Sequence, residues 1–179
     1  MIFTPLSLAG AWTVAPEPHR DGRGFFARTW CADEFAAHGL DPRVAQCSIS
    51  YNERKGTLRG LHLQDPPHGE VKLVRCVRGA IYDVIVDLRP GSDTFLRHAT
   101  VELNSENRLS LYIPEGVAHG FQTLVDDTEV WYQMSALYAP DFTRGVRWND
   151  PLFGINWPHL PPVIIERDSA FPDFLPAEA

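Results

Sequence analysis

The stretch "VKLVRCVRGAIYDVIVDLR" (residues 71–89) holds two short runs of β-forming residues parted by a turn at Arg78-Gly79. Side chains alternate along a strand, so Lys72, Val74 and Cys76 share one face of the first run and Leu73, Arg75 and Val77 share the other. Only two of the chain's 16 basic residues are lysines, which makes a lysine inside a valine-leucine run stand out. The same texture continues on both sides. "RVAQCSIS", "GTLRGLHLQ", "HATVELN", "RLSLYIP", "HGFQTLVD" and "EVWYQMSALY" are each short and rich in β-formers, with turn residues between them at Asp65-Pro66-Pro67-His68-Gly69, Pro90-Gly91-Ser92, Asn104–Asn107 and Pro114-Glu115-Gly116. This regular spacing predicts an all-β antiparallel sandwich or jelly roll. One helix is expected, in "WCADEFAAHGL", starting near Cys31 or Asp33 and ending at Gly39. Residues 140–179 read as Pro-rich loops and short helical turns wrapped onto the barrel, and "DFLPAEA" as a loose tail.

A chain of 179 residues is long enough to bury a core as one domain, expected over 1–179. Its net charge of −7 argues against nucleic acid or an anionic membrane as the main partner, and an anionic ligand would need arginines concentrated locally. Three scattered cysteines form neither a disulfide framework nor a zinc site, which fits a reducing cytoplasm. No segment has the form of a signal peptide or reaches transmembrane length.

The segment "KGTLRGLHLQ" (residues 55–64) places Arg59 and His62 three positions apart in an apolar strand. Strict alternation points them to opposite faces, unless Gly60 marks a bulge that re-aims a side chain. Downstream, "PEGVAHGF" contains P-x-G-x-x-H, which resembles the second histidine motif of metal-binding cupins. The first cupin motif would have to come from His62 and Gln64. With His119 they make a poor set for a transition metal, because amide oxygens are weak ligands.

In order along the chain stand "DGRGFF", "GTLRGLH-x-Q", "KLVR-x-x-x-G-x-x-x-DV-x-VDLR", "IPEG-x-AHGF", "Y-x-x-x-x-x-Y-x-P" and "W-x-DP". Together, over about residues 1–172, they resemble the dTDP-4-dehydrorhamnose 3,5-epimerases and related deoxysugar nucleotide epimerases. The resemblance implies a cupin-like jelly-roll β-sandwich, a homodimer, a nucleotide-sugar substrate, and no metal or organic cofactor. A 4-keto sugar has acidic protons at C3 and C5, so inverting those centres needs a base, an acid on the opposite face, and a cation near the enolate oxygen. The resemblance assigns these parts to His62, Tyr132 and Lys72, with Asp168 pairing with the base. It assigns Arg23, Arg59 and His119 to substrate binding, Tyr138 to stacking on the nucleotide base, and Phe26 and Gln46 to the same site.

The resemblance also places Arg28 and Ser48 in the substrate-binding site, although Arg28 stands where many members carry glutamate and Ser48 where asparagine is common; Gln133 stands where lysine is common. These departures bear on the substrate more than on the reaction. Two other activities are open to the sequence: single-position epimerisation of a related NDP-4-keto sugar, and a metal-dependent cupin oxygenase or isomerase. A sugar-binding jelly roll without catalysis would need no acid–base pair.

Overall fold

The computed structural model describes residues 1–175, and the last four residues of the expected tail lie outside them. Thirteen strands follow in chain order among these residues: β1 (Ile2–Pro5), β2 (Trp12–Ala15), β3 (His19–Asp21), β4 (Gly24–Phe26), β5 (Gln46–Asn52), β6 (Leu58–Gln64), β7 (Lys72–Arg78), β8 (Ala80–Asp87), β9 (His98–Asn104), β10 (Ser110–Ile113), β11 (Val117–Thr123), β12 (Thr128–Met134) and β13 (Thr143–Gly145). Two short helices join them, α1 (Ala32–Ala37) and α2 (Glu166–Ser169). A six-stranded sheet runs β1-β2-β10-β7-β12-β5 and a five-stranded sheet runs β13-β6-β11-β8-β9, with β3 and β4 forming a separate ribbon. All pairings within the sheets are antiparallel. This is the expected all-β sandwich. The turn at Gly79 carries the chain from one sheet to the other, since β7 and β8 belong to different sheets.

Alternation explains the layers. Val74 and Cys76 from one sheet meet Ile81, Ile85, Leu103 and Phe121 from the other in the central core. The opposite face of β8, with Val84 and Val86, is also buried, beneath Val146, Phe153 and Trp157 of the C-terminal segment. A strand covered on both faces reads as a near-continuous apolar run, which is why "AIYDVIVD" lacks clean alternation. On the far side of the six-stranded sheet, Phe35 of α1 packs with Val14, Leu73 and Tyr112.

Most of the expected strands are present with ends moved by a few residues. The four N-terminal strands and β13 were not expected from the sequence. They are three or four residues long, too short to show a period, and exist through pairing with longer neighbours. The described part of the tail, residues 173–175, is less loose than its composition suggests: the Phe174 N–H donates to Asp150 at 2.6 Å, and Asp173 pairs with Arg147.

Candidate active site

Strand β6 is irregular at the point the sequence raised. Against β11, His62 pairs with His119 but Arg59 pairs with Phe121, so three steps on β6 match two on β11. Gly60 is the extra residue, with φ +113°. A Cβ there would lie 2.6 Å from the Gly120 Cα, so both strands need glycine at this crossing. Cross-strand partners share a face, and Phe121 belongs to the central core. Arg59 and His62 therefore both face the inside, while Leu58, Leu61 and Leu63 pack on the outer side.

They open into a cavity of about 660 Å³ between the two sheets. From the five-stranded sheet it receives Arg59, His62 and His119, and from the six-stranded sheet Lys72 and Tyr132. Arg54 and Arg167 add positive charge, the local concentration that an acidic chain needs to hold an anion. A neighbouring cleft shares His62, Lys72, Tyr132 and Tyr138 and extends to Gln46, Gln64 and Glu70. Ser48 and Tyr138 line both spaces.

Asp168, 106 residues away in sequence, lies 2.9 Å through Oδ1 from Nε2 of His62. Its other oxygen accepts the Gly60 N–H at 3.1 Å, and Nε of Arg167 donates to Oδ1 at 3.1 Å. Burial acts to raise the Asp168 carboxyl, but these donors outweigh it and hold the group below its ordinary range. An imidazole that donates from Nε2 keeps the lone pair on Nδ1.

A second pair stands beside the first. His119 Nε2 lies 3.0 Å from Oδ2 of Asp83, which is wholly buried on β8 with its Oδ1 lacking a partner. Burial pushes the Asp83 carboxyl up, against the opposing pull of His119. The His119 ring also meets Tyr132 edge to face at 5.9 Å. Burial, then the charge of Asp83, push the Tyr132 phenol well above its usual range, with Arg59 opposing. The phenol keeps its proton at neutral pH. Lys72 faces the interior with Val74 and Cys76, as alternation requires, and pairs with Glu70 at 2.8 Å.

Three residues expected in the site stand elsewhere in this chain. Arg23 and Phe26 lie on the β3–β4 ribbon, where Arg23 pairs with Asp21 and Phe26 is exposed. Arg28 follows the ribbon and bonds Glu34 at 2.8 Å. None of the three lines the cavity that holds His62. Gln64 has its amide committed to backbone, donating to the carbonyls of His68 and Leu137 and accepting the Ala139 N–H. That engagement argues against Gln64 as a metal ligand. Sequence reasoning missed Asp83, Arg54, Arg167 and Glu70. Asp83 alone left a signal, as an aspartate on the inward-facing series of β8 between Ile81 and Ile85.

A family model described as dTDP-4-dehydrorhamnose 3,5-epimerase matches residues 5–175. The chain is 45% identical to a dTDP-4-dehydrorhamnose 3,5-epimerase of Mycolicibacterium smegmatis, covering 100% of this chain and 89% of that one. Its structure is similar to the Bacillus anthracis enzyme of the same name, crystallised with TDP and PPi (TM-score 0.93, 36% identity, 97% of this chain and 99% of that). It is also similar to a Legionella pneumophila epimerase in complex with dTDP-4-keto-L-rhamnose (TM-score 0.88, 32% identity, 95% and 90%).

Proposed function

The chain belongs to the dTDP-4-dehydrorhamnose 3,5-epimerase family, and we propose that it epimerises a dTDP-linked 4-keto-6-deoxyhexose at C3 and C5. One observation carries the reading: His62 of the five-stranded sheet, paired with Asp168 of α2, faces Tyr132 of the six-stranded sheet across a single cavity. A sugar ring between the sheets would present opposite faces to the two groups. His62 takes the proton next to the ketone through Nδ1, and Asp168 stabilises the imidazolium that forms. The electron pair moves into the enolate, whose oxygen meets the Lys72 ammonium. Glu70 occupies one of that ammonium's three donors and leaves two for ligand. Tyr132 returns a proton to the other face, and its raised phenol keeps that proton available until a carbanion claims it.

Arg59, Arg54 and Arg167 are suited to a diphosphate, whose oxygens fit guanidinium forks. His119, Gln46, Ser48 and Tyr138 complete the binding surface, with Tyr138 stacking on the base. The protein works as a homodimer, in which Arg23, Phe26 and Arg28 of one copy reach the cavity of another.

The test is incubation with dTDP-4-keto-6-deoxyglucose in D₂O, reading deuterium at C3 and C5 by NMR. Both positions should exchange. Exchange at C3 alone would make the protein a single-position epimerase, and no exchange at all would reject the substrate.

A further inference from the structure

Asp168 sits on α2, a single turn of four residues, too short to hold a carboxylate in place unaided. Its neighbours set its position. Upstream, Val163 exchanges backbone hydrogen bonds with Gly56 and Leu58, each at 2.8 Å. Downstream lie the ties of Asp173 and Phe174 to Arg147 and Asp150. Between them, the tip of the Phe171 ring occupies the space where a Cβ on Gly145 would stand. Gly145 is the register partner of His62 across β13 and β6. The same ring stands edge to face with the His62 imidazole, at 6.0 Å and 78°.

We propose that Phe171 is a positioning residue for the His62–Asp168 pair, seated in a notch that exists because residue 145 has no side chain. The inference rests on the role given above to that pair. Asp168 fixes one nitrogen of the imidazole, and the Phe171 ring limits how far the imidazole can tilt. A base held this way meets the carbon acid in one orientation, and small misplacements of a reacting group are costly in rate.

A double-mutant cycle on the full chain tests this. Phe171→Ala should lower kcat about tenfold while KM stays within about twofold, because the base is misplaced while Arg54 and Arg59, away from α2, keep their places. Gly145→Ala should do the same by expelling the ring. Added to Phe171→Ala, it should cost no more than about twofold, since no ring remains to displace. Phe171→Leu, which refills part of the notch, should recover most of the loss. Additive losses, or a loss that falls on KM, would overturn the inference.

A second readout needs no substrate. The low-field imidazole proton shared by His62 and Asp168, identified by its absence in His62→Asn, should exchange faster in Phe171→Ala and Gly145→Ala. An unchanged resonance overturns the positioning role even in a protein inactive on the sugar. Faster exchange in a chain whose wild type shows no turnover would reject the substrate reading and support the notch.

Discussion

Two histidine–aspartate pairs stand side by side on β6, β11 and their neighbours, with the histidines in direct register. Their N–O distances are nearly equal, 2.9 Å for His62–Asp168 and 3.0 Å for His119–Asp83. Their environments are opposite. His62 keeps 27% of its side chain accessible, and Asp168 accepts from a backbone amide and an arginine as well as from the imidazole. His119 keeps 5%, and Asp83 is sealed on β8 with one oxygen orphaned. So the same pairing yields a carboxyl held down at Asp168 and one pushed up at Asp83. Burial acts to raise both carboxyls and is more complete around Asp83; three donors outweigh it at Asp168, while at Asp83 only His119 opposes it.

The largest test of that contrast is removal of each imidazole. His62→Asn should lower epimerisation by roughly 10³-fold, the scale of a lost general base, and abolish deuterium exchange. His119→Asn should leave slow exchange detectable by the same NMR assay. Near-equal losses would mean that both pairs carry proton transfer.

Tyr132→Phe comes next. It removes the acid facing His62 and should slow net inversion by roughly 10²-fold while exchange at the base's face persists. Inversion and exchange falling together would show that Tyr132 shapes the cavity and donates no proton.

Replacing the aspartates separates the pairs further. Asp168→Asn should reduce kcat by roughly 10²-fold, since an amide cannot support an imidazolium. Asp83→Asn should cost about tenfold or less, because its partner binds and does not deprotonate in this scheme. Steady-state rates of the two variants compare them directly.

The smallest effect is on stability, and it differs in sign. The lowered Asp168 contributes stability present above the ordinary carboxyl value of 3.8 and lost as pH falls through its folded value. The raised Asp83 contributes stability present below 3.8 and lost as pH rises through its folded value. Melting temperatures taken upward from pH 3 should therefore rise less steeply in Asp168→Asn than in the wild type, and decline less in Asp83→Asn. Changes of slope of the same sign for both variants, relative to the wild type, would break the contrast.

Much of this site was legible in particular residues. Lys72 betrayed itself as a charged residue on an apolar inward series, and the family resemblance pointed to His62, Tyr132 and Asp168. The resemblance gave Arg59 a binding role, but the direction it faces was legible only as a conflict, because a lone glycine in a strand does not say what lies across from it. The answer is Gly120, 60 residues further on, whose bare Cα lets Gly60 bulge and turns Arg59 inward. Asp83 lay in plain view within "IYDVIVD", but its role depends on His119 arriving from the adjacent strand. Arg23, Phe26 and Arg28 were read as binding residues, and in this chain they sit on the β3–β4 ribbon or just after it, apart from the cavity.

The sequence by itself determined the class of fold and the chemical inventory. Strand periodicity and turn residues are local properties, whereas the base, acid and cation of the proposed reaction came from a resemblance carried by several motifs in order, since none of those residues is telling taken singly. Tertiary structure decided everything that depends on facing: which sheet carries His62 and which Tyr132, which aspartate is fed by three donors and which by one, and where a missing Cβ leaves room for Phe171. Those are distances between residues far apart in the chain. They are fixed by packing two sheets and a C-terminal strap together, which no local pattern encodes.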